Sequence, residues 1–223
     1  MDERERVETL ATTKIAYAKK RLGRSEREEP DFVADAADVE KLLDDWPATP
    51  RKIGQKLIEQ YGPPDEATPM QLIWHRNGPW KRTLITRDEI PHKFPTAHTD
   101  FITQYIDYQV PPVKVSDLIA FDGSVLVDRT AGELGARCDM EAMNILTLNL
   151  ANEIITGKRR ADDARQHYAE QASAYVLGRE APYAERLLFD VPQGGTADLD
   201  ESIIAEPMAR QMAEKMKDLI SSQ

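Results

Sequence analysis

The residues best suited to chemistry are three histidines and an aspartate. His75 comes first, followed by His92-x5-His98-x-Asp100 within "PWKRTLITRDEIPHKFPTAHTD". Imidazole and carboxylate groups ligate Zn2+ and other divalent ions, and catalytic zinc sites often use three protein ligands and leave one position for water. A metal held this way lowers the pKa of that water and yields a nucleophile at neutral pH. His98 and Asp100 are the catalytic candidates in this arrangement, with His75 and His92 as further ligands. Other features argue for a structural role. No pair of histidines has the spacing that places two ligands on one helix. His98 and Asp100, two residues apart, do not share a helical face. Pro91 and Pro95 suit a stiff connector. On that reading the polar groups only cap a helix and bond loop backbone.

Cys138 is the second reactive candidate. It precedes an apolar helical segment, whose macrodipole favours a thiolate, and a nearby His92 or His98 could serve as its base. Arg137 favours the thiolate and Asp139 opposes it. The competing reading is a small buried residue entering a core helix. A third candidate is the ribbon "WHRNGPWKRT". There Trp74, Arg76, Trp80 and Arg82 could stack on and neutralise an anionic or nucleotide ligand, or the tryptophans could pack beneath a helix. A fourth is the polar stripe Glu141, Asn149, Asn152 and Glu153 on the helix that starts near residue 139. Asn144 lies on the apolar side of that helix and needs a buried partner. No P-loop, G-x-G-x-x-G, G-x-S-x-G, H-E-x-x-H or C-x-x-C pattern occurs.

The elements that must carry these residues follow from periodicity. Residues 4–22 form an amphipathic helix with Val7, Leu10, Ala11, Ile15, Tyr17, Ala18 and Leu22 on one face. A charged stretch, 24–45, reads as linker in its first half and as a short helix around Val39, Leu42 and Leu43 in its second. Residues 1–45 are therefore expected to be a helical arm and linker, and residues 46–223 a single α+β domain with C-terminal helices. A helix over 50–61 has Thr49 as its cap, Pro50 at its first position and Gly62 as its stop. A hairpin over 70–87 turns at Asn77-Gly78, where Pro79 calls for a loop longer than two residues. Residues 97–108 read as a helix, 124–137 as two short strands and 139–156 as a largely buried helix. Helices over 162–177 and 207–220 follow, separated by an irregular stretch at 189–202. The fold class is α+β: a small antiparallel sheet from the 70–87 hairpin and the 124–137 strands, covered by helices, with helical extensions at both ends. The helix–"YGPPDEAT"–strand–turn–strand segment, with Trp74 in its first strand, resembles small modules of the SmpA/OmlA type. The resemblance implies a helix packed locally on a hairpin. That family's lipoprotein cysteine is missing here.

Composition narrows the function. The net charge of −10 argues against a nucleic-acid-tracking surface, and the basic runs "KKRLGR" and "GKRRADDAR" read as solvated surface. A single cysteine permits no internal disulfide. The charged start "MDERERVETL" is not a secretory signal, and no stretch is apolar enough to span a membrane, so the cytoplasm is the expected address. The leading expectation is a soluble binding or interaction protein without catalysis, which self-associates or meets a protein partner through its amphipathic terminal helices. The second is a metal-dependent hydrolase built on the His/Asp group. The third is a thiol-dependent enzyme with Cys138 as nucleophile. No organic cofactor is expected; Zn2+ or another divalent metal is the one cofactor the residues admit.

Overall fold

The computed structural model describes residues 1–22 and 34–221. Contacts cluster into two units. One combines residues 1–30 with 200–223, and the other is Asp31–Leu199.

In the first unit, helix α1 (Glu3–Arg21) opens on a capping box. Asp2 accepts from the Glu5 amide, and the Glu5 carboxylate accepts from the Asp2 amide. Its partner is the last helix, Glu206–Ser221, to which it is tied by a Glu3–Lys215 ion pair. Val7, Leu10 and Ala11 are half-buried, whereas Ile15, Tyr17 and Leu22 stay exposed. The expected linker in the first half of 24–45 lies largely outside the described residues. So do the side chains of Met216, Leu219 and Ile220.

The larger unit is α+β. It begins with α2 (Ala36–Asp44) and α3 (Ala48–Tyr61). Val39, Leu43, Trp46 and Leu57 are buried there with Leu72, Trp74, Ile85 and Ile102. Helix α3 starts two residues earlier than Pro50, which therefore sits within the first turn, where an amide has no helical partner to lose. It stops at Gly62, at φ 82°.

Six strands follow: β1 (Glu66–Thr68), β2 (Gln71–His75), β3 (Arg82–His92), β4 (His98–Asp107), β5 (Val125–Asp128) and β6 (Glu133–Cys138). They form one antiparallel sheet in the order β1-β2-β3-β4-β6-β5. Between β4 and β5 lies helix α4 (Val115–Phe121). Past β6 come α5 (Glu141–Ile155), α6 (Ala161–Val176) and a single turn, α7 (Pro182–Glu185). The C-terminal helix described above is then α8. Helix α5 buries Leu146, Leu148, Leu150 and Ala151 completely, each leucine contributing about 2 kcal/mol by burial.

One expected helix is a strand. Within 97–108, His98–Asp107 form β4, paired with β3 on one side and β6 on the other. The β-branched and aromatic content of "HTDFITQYIDY" favours an extended chain, and a place between two strands supplies backbone partners that a helix would make internally. Thr96, Thr99 and Asp100, of types that suit a helix start, lie instead in the turn and the first residues of the strand. The hairpin expected over 70–87 continues to His92. Past Thr86, β3 no longer has β2 beside it, so Pro91 interrupts no ladder on that side.

The sheet's other face carries an ion-pair group. Lys81 Nζ lies 2.7 Å from Asp107 and 2.9 Å from Glu133, and Arg82 lies 2.6 Å from Glu133. Burial alone would raise the Glu133 pKa, but hydrogen bonds and charge from Arg82 and Lys81 outweigh it and hold it below its ordinary value. An acid lowered in the fold adds stability above its unfolded pKa, and that contribution is lost as pH falls through the folded value. Glu133→Gln should therefore cost about 2 kcal/mol at pH 7, moderated by the partial exposure of Arg82. In urea melts the difference from the parent protein should shrink as pH drops below the ordinary carboxylate range. A pH-independent difference would refute this.

Candidate metal centre

The centre is built on the far end of the β3–β4 hairpin. If the pairing of Ile85 with Ile102 continued in step, Glu89 would stand opposite His98. An irregularity between Ile85 and Ile90 slides β3 onward, and His92 stands there instead. Directly opposed residues of an antiparallel pair share a face, as do residues two apart on one strand. His92, His98 and Asp100 thus point the same way. Cys138, whose strand partner is Ile102, joins that face from β6. The hairpin end is anchored by Phe94. Its ring centroid lies 4.9 Å from that of Tyr168 and 6.2 Å from that of Phe121, and the Arg165 guanidinium sits 3.9 Å above it.

Donor atoms of His92, His98 and Asp100 lie within 4.8 Å of one another, so the three could hold a metal ion. Asp100 is 2% exposed. His98 Nε2 is 3.0 Å from Asp100 Oδ1, and His92 Nδ1 is 3.3 Å from Asp100 Oδ2. These approaches are short, yet Asp100 Oδ1 and His92 Nδ1 are buried without an aligned hydrogen bond. A tetrahedral zinc site, with bonds of about 2.0–2.1 Å, requires ligand atoms about 3.3 Å apart. The outer contacts suit ligands as well. His98 Nδ1 faces the Thr96 carbonyl at 2.8 Å, which fixes the tautomer that leaves Nε2 bare. His92 Nε2 faces Asp122 Oδ1 at 3.6 Å. That oxygen is itself held by the amide and hydroxyl of Ser124.

Cys138 Sγ lies 3.4 Å from His98 Nε2. Burial, reinforced by Asp139, pushes its thiol well above the ordinary value, opposite to the effect expected from a helix dipole. Cys138 ends β6, and Met140 rather than Asp139 stands at the start of α5. The thiol and the Asp100 carboxylate approach the same imidazole nitrogen. A nucleophile–base–orienter relay instead uses the two nitrogens for different partners.

The remaining candidates lie elsewhere. His75, on β2, has its Nε2 2.7 Å from Glu66 and does not belong to the group of three. Trp74 and Trp80 are buried, donating to the Gly62 carbonyl and to Glu141 respectively. Neither ring offers an open face for stacking. Arg82 lies over Tyr105 and pairs with Glu133, while Arg76 occupies the turn at φ 51°. The polar stripe of α5 divides into separate jobs. Asn149 accepts from the Leu188 amide and donates to the Tyr183 and Arg186 carbonyls. Asn152 accepts from Tyr108, and Glu153 accepts from Tyr183 and Arg159. Glu141 gathers Tyr61, Trp80 and Gln104, and the Gln104 oxygen accepts from Asn144. The Asn144 amide nitrogen thus finds partners, while its oxygen is buried without a hydrogen bond. Asp122 was missed by reading the sequence, where it is one acid in a turn; only the fold brings it to His92.

Compared with family models, curated proteins and solved structures, the chain finds no match.

Burial is the largest influence on Asp100. It raises the pKa, and the charges of His92, His98 and Arg137 only partly offset it. An acid raised in the fold stabilises below its unfolded pKa, and that contribution is lost as pH rises through the folded value. At neutral pH the carboxylate is therefore a net cost to the metal-free fold. Asp100→Asn should melt at or above the parent temperature when both are metal-free at pH 7, by about 2–4 °C for each ~1 kcal/mol recovered. The gap should close toward pH 4. A large drop in melting temperature would show that the carboxylate is a structural partner of the imidazoles.

Proposed function

We propose that this chain is a metal-dependent hydrolase whose divalent ion, zinc by preference, is held by His92, His98 and Asp100. The observation that carries the reading is the convergence of three ligand groups, two of whose atoms, Asp100 Oδ1 and His92 Nδ1, are buried without an aligned hydrogen bond. A fixed polar cluster whose members do not satisfy each other costs stability, and a cation would remove that cost. A bound metal would supply an acidified water and a Lewis acid for a carbonyl or phosphoryl oxygen. The protein's part is to orient the ligands. Thr96 sets the His98 tautomer, Asp122 lies behind His92, and Arg137 Nε stands 3.8 Å from Asp100. The two-imidazole, one-carboxylate set also suits iron(II), so metal identity is part of the test.

Purified protein should bind one zinc or cobalt ion per chain with micromolar or tighter affinity. His98→Ala should weaken it at least about 100-fold, whereas His75→Ala should leave it unchanged. Zinc-dependent hydrolysis of p-nitrophenyl acetate should disappear in Asp100→Asn. A parent protein that takes up no zinc, cobalt or iron(II) sinks the metal reading. Metal uptake without any hydrolysis leaves a binding protein rather than an enzyme.

A second reading, association through the terminal helices, draws on the exposed Ile15, Tyr17 and Leu22 of α1 and the exposed Met208 of α8. These apolar groups could meet a second copy or a partner helix. Light scattering should then give a mass above that of one chain, falling when residues 1–22 are removed. A single-chain mass for the full protein removes self-association. Among the described residues no helix is long and apolar enough to cross a membrane.

A further inference from the structure

Beside the metal centre lies a pocket of about 460 Å3, within the range of about 300–1,000 Å3 typical of small-molecule sites. Its inner wall includes His98 and Cys138. Met140 and Met143 close one side, and α6 supplies Tyr168, Ala169, Ala172 and Ser173 on the other. Val176 and Leu177 line it too and are 73% and 63% exposed. Two large apolar side chains left in water at a concave site mark a surface made to be covered. The Met pair can adapt to chains of differing shape. The lining is mostly apolar, with Thr96, Asp139 and Ser173 as polar exceptions beside His98 and Cys138, so the pocket would take a molecule that is largely apolar with one polar end.

We infer that the pocket binds the apolar tail of an acyl compound whose carbonyl-derived head reaches the metal centre. This rests on the metal reading above and adds the substrate class to it. Charge selects the head. Without a cation, Asp100, Asp122 and Asp139 would repel an anion, whereas a divalent ion at His92, His98 and Asp100 offsets them and takes an oxygen ligand. An acid, ester, amide or hydroxamate of a medium-length aliphatic chain has both parts. A phosphate monoester without a tail would leave the apolar walls empty.

The test uses the full chain loaded with zinc, its zinc content measured separately, and two probes: acetohydroxamic acid and octanohydroxamic acid. Calorimetry should give at least about 100-fold tighter binding of the longer probe, since each further buried methylene contributes roughly fourfold. Ala169 and Ser173 are exposed lining positions, so Ala169→Trp and Ser173→Trp fill the pocket without entering the core. Either variant should reduce the preference to within about fivefold, with zinc content and acetohydroxamate affinity unchanged. Equal binding of the two probes by zinc-loaded parent protein would overturn the inference while leaving the metal reading intact. So would an undiminished preference in both tryptophan variants. Failure to load zinc overturns both.

Discussion

A strand enclosed on both edges, with a helix laid over one face, must find a partner for each polar side chain it turns inward. β4 is such a strand. It turns Gln104 and Asp100 toward the covered layer, and the two are treated differently. Gln104 donates to Glu141 and accepts from Asn144, so its amide is paired at both ends. Asp100, four residues earlier on the same face, meets two imidazoles and a distant guanidinium among the described residues, with one oxygen lacking a hydrogen bond. Unpaired buried polar atoms are rare because each costs on the order of 1–3 kcal/mol.

Much of the architecture was legible beforehand. Helix α5 was recognisable because apolar residues occupy most of its turns. β2 and the start of β3 were marked by Trp, Ile and Leu around Asn77-Gly78, and β5 and β6 by their β-branched and turn residues. The element whose pattern is ambiguous is β4. Its run from His98 to Asp107 has apolar residues at spacings that fit either a helix or a strand, and the threonines and aspartate near its start are types that also suit a helix N-terminus. The difference between helix and strand decides the site. Two residues apart on a helix is a divergent spacing; on a strand it is a convergent one. The histidine and aspartate types were evident, but their convergence depended on the period.

The slip in β3 was less legible still. No local signal at Thr86–Glu89 announces that the register with β4 will change, yet it sets His92 rather than Glu89 across from His98. Such irregularities re-aim side chains and concentrate beside functional sites. The exclusion of His75 also follows from register: it pairs with Arg82, at the opposite end of β3 from His92, and lies beside Glu66. Ligand sets drawn from several strands are fixed by register, which a residue list does not contain.

Thr96 belongs to two structures at once. Its carbonyl holds the His98 ring, and the residue also lines the apolar hollow beside α6. Whatever moves that short connection by occupying the hollow must alter how firmly the imidazole is presented, and an ion gripping the imidazole must in turn restrain the connection. Thermodynamic reciprocity makes the two effects equal in free energy, so filling one place and filling the other would be a single coupled equilibrium.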